Sequence, residues 1–325
     1  MVPAKTQAGS SGRDGGPDRR ALVVAGMHRS GTSALARLLM LLGADSPHNL
    51  MPAREGNEPG HWESEPIVDM HDEIFASVGS SWQDVSPFPR SWFDSAAGKR
   101  YRKIAAELVE QEFGESPLFV IKDPRLSKLV PLWLAVLEDL GIDPAFVIPV
   151  RNPLEVAASL KARDSIPPAR ALLLWLRYLL ESERATRGQS RVFVSYPRLL
   201  SDWEQVARGI SEGLDISWSR TTHQATLEIE GFLSGGHRHH TFTYEELELK
   251  PEVVDWVKRA SGELETSAEA MAEPNERVLD EITAGFDHAD LAFGPIVAEL
   301  QARAESGDEA RAWSSATMGP NARSA

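Results

Sequence analysis

Residues Gly26-Met27-His28-Arg29-Ser30-Gly31-Thr32-Ser33 place two glycines, a cation and three hydroxyls within eight positions. That composition suits an anion. Glycines let backbone N–H groups approach phosphate oxygens, and a helix opening at the loop adds the positive end of its dipole. Four residues separate Gly26 from Gly31, as in a nucleotide P-loop, but Thr32 stands where the lysine is due and the cation lies inside the loop at Arg29. A second group is Arg151, with Ser159 eight residues later. An Arg leaving a strand and a Ser almost two helical turns on can converge on one phosphate, which a guanidinium grips bidentately. Lys122-Asp123-Pro124-Arg125 sets two cations around a carboxylate, as part of a site or as a strand-end salt bridge. The loop over 55–63 concentrates carboxylates and one imidazole, so Glu58, His61 and Glu63 join Asp123 as candidates for a general base. Three histidines within 237–240 lack the outlying ligand pattern of a metal site, and no metal is expected.

These groups need elements to hold them. The unbroken apolar run over 21–25 reads as a strand buried on both faces, and the spacing over 32–40 predicts a helix ended by Gly43. Ser64 reads as the N-cap of a helix that lasts until Gly79. Further strands are predicted over 117–121, 145–150 and 192–195, with helices over 128–140, from Pro153 and over 169–187. Strands alternating with helices give an α/β fold, a P-loop-like three-layer sandwich with a central parallel sheet and helices on both faces. Helical segments near 244–260 and 275–299 are appended to it. Ligands of such sheets bind beyond the carboxyl ends of the strands, where the glycine loop, Lys122 and Arg151 all fall. Trp133 and Trp175 belong to apolar helix faces and read as core. Trp62, Trp82 and Trp92 could wall an acceptor site, although packing is the simpler reading for Trp82.

The loop and the Arg151–Ser159 pair together resemble the motifs of sulfotransferases that use 3′-phosphoadenosine 5′-phosphosulfate (PAPS), the branch with Arg in the 5′-phosphosulfate loop. The resemblance covers roughly 21–203. It implies that Arg29, Ser30, Gly31, Thr32 and Ser33 hold the 5′-phosphosulfate and that Arg151 and Ser159 hold the 3′-phosphate. It implies further that Tyr196 lies near the adenine and that Arg238, in a late basic loop, also reaches the 3′-phosphate. Lys122 would stabilise charge developing during transfer, and Glu63, entering the second helix, would act as base. The family's His two positions after this Lys is here Pro124. The activity implied is in-line transfer of a sulfuryl group to a hydroxyl or amine of a small-molecule, carbohydrate or lipid acceptor. A P-loop kinase or nucleotide hydrolase using Asp123 for magnesium is the alternative enzyme. A catalytically inactive nucleotide-binding scaffold is the alternative of another class.

Composition bounds these readings. The 325 residues carry 34 Lys+Arg against 48 Asp+Glu, a net charge of −14, which argues against a nucleic-acid partner. No cysteine is present, so disulfides, thiolate metal sites and thiol catalysis are excluded. Residues 1–20 lack the apolar core of a secretory signal, and the apolar stretch over 171–180 is too short to span a bilayer. The expectation is a cytoplasmic protein with no transmembrane segment. Its one globular unit would cover 21–301, between a disordered tail over 1–20 and a flexible one over 302–325. Against an acidic background, the cations that bind the donor must be gathered at the strand ends: Arg29, Lys122, Arg125, Arg151 and Arg238.

Overall fold

The computed structural model describes residues 19–52, 60–233 and 241–317. Strand β1 (Arg20–Val24) leads through the glycine loop into α1 (Thr32–Leu41), followed by α2 (Glu65–Ala76), α3 (Ser91–Asp94) and α4 (Ala96–Phe113). Then β2 (Leu118–Lys122), α5 (Leu126–Leu140), β3 (Asp143–Val150), α6 (Pro153–Asp164), α7 (Pro168–Ala185) and β4 (Ser190–Ser195) follow one another. Helices α8 (Tyr196–Ser201), α9 (Trp203–Leu214) and α10 (His223–Leu233) come next, and α11 (Tyr244–Glu248), α12 (Asp255–Ala270) and α13 (Glu276–Thr317) close the described chain.

The four strands form one parallel sheet in the order β2-β1-β3-β4. Side chains alternate strictly between its faces. Ala21, Val23, Phe119, Ile121, Phe146, Ile148 and Phe193 enter one core with α5, α7 and α12, while Leu22, Val24, Val120, Val147 and Val194 enter another with α1 and α9. Burial on both faces is why these strands read as continuous apolar runs. Trp133 and Trp175 are fully buried in the first core, as their helical spacing predicts. The fold is therefore the expected α/β three-layer arrangement.

Strand order places the site. The chain leaves β1 for β2 on one side and returns past it to β3 on the other, so the glycine loop opens at the switch point of the sheet. Val24 of β1 lies opposite Lys122 and Val147, and β3 then runs three residues further to Val150. That overhang carries Arg151 roughly 13 Å beyond the end of β1, from where its side chain reaches back over the loop.

Several helices differ from the expected pattern. Helix α4 carries only a weak periodic signal, because among its many charged and polar residues only Tyr101, Ala105, Val109 and Phe113 repeat at the i+4 spacing of a buried stripe. Helices α9 and α10 likewise have no counterpart in the periodicity reading. The segment over 244–260 is two helices, α11 and α12, separated around Pro251, which cannot donate to a continuing helix. Helix α13 continues to Thr317, into the stretch expected as a tail, through Ala, Glu, Gln and Arg of high helix propensity. Among the described residues no helix is long and apolar enough to cross a membrane.

Candidate active site

The glycine loop is shaped by two residues in the left-handed region, Arg29 at φ 67° and Gly31 at φ 91°. Gly31 has a second reason to lack a side chain: a Cβ there would lie 2.1 Å from the Tyr196 ring. The ring thus packs directly on the loop, and Tyr196 joins the site from the end of β4. Gly31 offers no side-chain cap to α1, so the first N–H groups of that helix are left for other acceptors, a role an anion can fill. Ser30 Oγ is buried beside them with no hydrogen-bond partner, an orphan donor of the kind that a phosphate or sulfate oxygen satisfies.

The loop and the end of β3 form one constellation. Arg29 Nε donates to Ser159 Oγ at 2.8 Å, and Arg151 Nη1 donates to the Arg29 carbonyl at 2.9 Å. The Arg151 guanidinium lies 4.5 Å from the Tyr196 ring centroid, a cation–π contact. Glu155 orients Arg151 from below, accepting from its Nε at 2.8 Å, and also accepts from the Phe242 N–H at 3.2 Å. Trp175 Nε1 donates to the Arg151 carbonyl at 3.0 Å, so this core tryptophan also fixes the strand end. Burial, followed by the neighbouring Arg163 and Arg151, lowers the pKa of Arg29. Like charges crowded on one side of a partly buried loop are relieved by a bound anion.

A second cluster borders the loop on the β2 side. The Lys122 ammonium donates to Ser33 Oγ at 3.1 Å, to the His61 carbonyl at 3.0 Å and to Glu63 Oε1. Its three protons thus link α1, the approach to α2 and the carboxylate expected as base. Glu63 precedes Ser64, which caps α2 by accepting from the Ile67 N–H. Burial raises the Glu63 pKa, and Asp123 adds to the rise, more than Lys122 offsets it. A carboxyl so tuned lies closer to neutral pH, as a general base requires.

Asp123 and Arg125 work behind this front. Asp123 Oδ1 accepts from the Arg125 N–H at 3.0 Å and from Arg125 Nη1 at 3.1 Å, while Oδ2 lies 2.7 Å from His71 Nδ1. Trp133 Nε1, which can only donate, gives its proton to His71 Nε2 at 2.9 Å. His71 Nδ1 therefore carries the ring proton and donates it to Asp123. Burial alone would raise the Asp123 pKa, but Arg125 and His71 hold it well below the usual carboxylate range. With both oxygens engaged by donors, this carboxylate is set up to orient Arg125 and not to ligate magnesium. Arg125 is anchored again by Asp72, at 2.6 Å.

Arg29, Ser159, Arg151 and Tyr196 are thus brought together, and Lys122, Ser33, Glu63 and His61 adjoin them through the loop; Thr32 opens α1 between the two groups. Glu58 and Arg238 lie outside the described residues, as do the three histidines beside Arg238. Trp92 packs in an aromatic cluster with Phe88 and Tyr101 and donates to Ser77 Oγ at 3.1 Å. Trp62 is covered by Arg37, 4.2 Å from its ring centroid. His71, Glu155 and the polar roles of Trp133 and Trp175 escaped the sequence reading. Only Glu155 left a local signal, four residues after Arg151 on an opening helix. Among the described residues no group of three or more His, Asp or Glu stands close enough to hold a metal ion.

Two substitutions probe this construction. Gly31→Ala must strain both the left-handed backbone and the Tyr196 contact, at about 1–3 kcal/mol from overpacking alone, read by denaturant unfolding. Asp123→Asn leaves Arg125 without its buried counter-charge and is expected to cost about 3–5 kcal/mol at pH 7. Because the folded pKa of Asp123 is depressed, its stabilisation is present above roughly pH 4 and lost as pH falls toward the folded value. Unfolding curves of the Asn variant should therefore show less acid sensitivity than wild type.

No family model matches the chain, and no curated protein matches it. Among solved structures, it is similar to the sulfotransferase domain from the Synechococcus PCC 7002 olefin synthase, with TM-score 0.42 and 18% identity over 78% of this chain and 96% of that one. It is likewise similar to the sulfotransferase domain from the curacin biosynthetic pathway, with TM-score 0.42 and 13% identity over 79% of this chain and 99% of that one. Likeness at that level leaves the chemistry of this chain to its own residues.

Proposed function

We propose that the chain is a PAPS-dependent sulfotransferase, moving a sulfuryl group to a hydroxyl or amine of a small-molecule, carbohydrate or lipid acceptor. The observation that carries this reading is the junction of two anion-binding motifs 122 residues apart, where Arg151 holds the backbone of Arg29 and Arg29 holds Ser159. A single-phosphate site needs one such motif; a donor with phosphates at both ends of a nucleoside needs two on one surface. The orphan Ser30 hydroxyl, the uncapped start of α1 and the crowded guanidiniums fit such a donor. Thr32 in place of the P-loop lysine and the donor-filled shell of Asp123 speak against a magnesium-dependent kinase or hydrolase.

In this reading Glu63 takes the proton of the acceptor hydroxyl or amine as that atom bonds to sulfur. The bond from sulfur to the 5′-phosphate oxygen breaks, and its electron pair leaves with adenosine 3′,5′-bisphosphate. Arg29 and the first N–H groups of α1 meet the charge that develops on that oxygen, as preorganised donors that need no rearrangement. Lys122 lies between base and donor. As Glu63 gains its proton, the ion pair weakens and the ammonium charge is released toward the leaving oxygen. Arg151, Ser159 and Tyr196 position the nucleoside end.

Calorimetry with adenosine 3′,5′-bisphosphate and an acceptor screen with PAPS test the proposal. Arg29→Ala and Arg151→Ala should each weaken bisphosphate binding by about 1.5–3 kcal/mol, the worth of a hydrogen bond to a charged group, with the fold retained. Absence of binding by wild type would sink the reading, and tight binding without turnover on any acceptor would favour a scaffold. The pH profile is a separate test. Because the Glu63 pKa is raised, kcat/KM should fall on acidification at a pH above the ordinary carboxylate value of about 4.3, and Glu63→Gln should abolish that limb together with most of the activity.

A further inference from the structure

Residues 82–86, between α2 and α3, belong to no regular element, yet each of their five carbonyls accepts a hydrogen bond from a side chain. The Tyr178 hydroxyl donates to Trp82 O at 2.8 Å, Arg170 Nη2 to Gln83 O at 2.9 Å and Arg177 Nε to Val85 O at 2.7 Å. Lys128 Nζ donates to Asp84 O at 2.5 Å and to Ser86 O at 3.0 Å. The donors stand on α5 and α7, the helices packed against the sheet. Surface segments ordinarily leave their carbonyls to water. Here two buried cations donate to one irregular segment, Lys128 through its ammonium and Arg177 through Nε while its Nη1 pairs with Asp287 of α13, at the desolvation cost that buried charge carries.

What the clamp holds in place is Trp82. Its ring centroid lies 4.3 Å from that of His28, whose ring also meets the edge of Tyr178 at 6.0 Å. His28 immediately precedes Arg29 in the glycine loop, and its Nε2 is buried without a hydrogen-bond partner. Burial, then Arg125 and Arg163, holds the imidazole neutral. Two half-buried, uncharged rings therefore border the cationic loop, with an unsatisfied ring nitrogen at their junction. No residue assigned to the donor comes from this segment.

We propose that residues 82–86 are the acceptor-side wall of the site, with Trp82 and His28 as its surface and Lys128 as the positioning residue that fixes Trp82 through the backbone. The inference rests on the sulfuryl-transfer reading and deepens it. An acceptor lying on this wall presents a flat, uncharged C–H or π face beside its reacting hydroxyl, as a phenol or a sugar ring does.

The test compares wild type with Lys128→Met, Lys128→Arg and Trp82→Leu in the full chain. Hydrogen exchange over residues 80–88 should quicken about tenfold in Lys128→Met, a loss of about 1.4 kcal/mol of local protection. It should stay near wild type in Trp82→Leu, whose clamp is intact. With labelled PAPS and two probes, 4-nitrophenol and octyl glucoside, acceptor KM should rise about tenfold in both variants with kcat less affected, and Lys128→Arg should recover part of the loss. Bisphosphate affinity should remain within twofold throughout. Unchanged exchange in Lys128→Met overturns the clamp, and a parallel fall in bisphosphate affinity assigns the wall to the donor. Turnover of neither probe by a wild type that binds bisphosphate overturns the acceptor class. A wild type that does not bind bisphosphate overturns the sulfotransferase reading itself, while exchange over 80–88 still decides the clamp.

Discussion

Two guanidinium hydrogen bonds organise the carboxyl edge of this sheet: Arg29 Nε to Ser159 Oγ and Arg151 Nη1 to the Arg29 carbonyl. They tie the loop after β1 to the end of β3 and the body of α6, segments distant in sequence and neighbouring only because the strand order puts β3 beside β1. Such a tie is available only if Arg29 adopts a left-handed backbone that aims its carbonyl toward β3 and its side chain along α6. The same turn forces Gly31, because the Tyr196 ring occupies the space of a side chain there. Loop shape, the place of the Tyr196 ring and guanidinium spacing are therefore one constraint.

Around that edge, charge is arranged by burial as much as by pairing. Each buried cation close to the loop is oriented by a carboxylate or carbonyl on its far side: Arg151 by Glu155, Arg125 by Asp123 and Asp72, Lys122 by Glu63 and the His61 carbonyl. The carboxylates are themselves held, Asp123 by His71 and Glu155 by the Phe242 N–H. A half-satisfied buried network is costly, and here the partners extend two residues deep, as in the chain Trp133–His71–Asp123–Arg125. The net charge of −14 is no obstacle to an anionic ligand. Acidic residues elsewhere set the total, while those at the site serve to aim the cations.

Much of the scaffold is legible in the residues. Apolar runs mark all four strands, since a strand buried on both faces has no polar positions to break the run. Gly43, Ser64 and Pro153 mark helix ends through backbone geometry that few other residues supply. Helix α4 escapes because its buried stripe is narrow, and the break between α11 and α12 falls at a proline whose weight periodicity underrates. The glycine loop and Arg151 are legible as candidates for binding an anion because their chemistry is local. Glu63 is legible only by position, and what sets it apart from its neighbours is burial against Lys122 and Asp123, a property of the packed chain.

By itself the sequence determined the kind of sheet, the place of the glycine loop on it and the residues whose chemistry suits phosphate or sulfate oxygens. These follow from local rules: alternation, capping and the conformational freedom of glycine. Only the tertiary structure decided which of those residues act together. It joined Arg29 to Ser159 across 130 positions, tied Asp123 to Arg125 and His71, and gave the indole N–H groups of Trp133 and Trp175 polar work inside the core. It also decided that an unremarkable segment, 82–86, is clamped at every carbonyl. The physical reason is the same throughout. Hydrogen bonds and desolvation act over a few ångströms, and strand order, which no local pattern of residues encodes, sets which groups come that close.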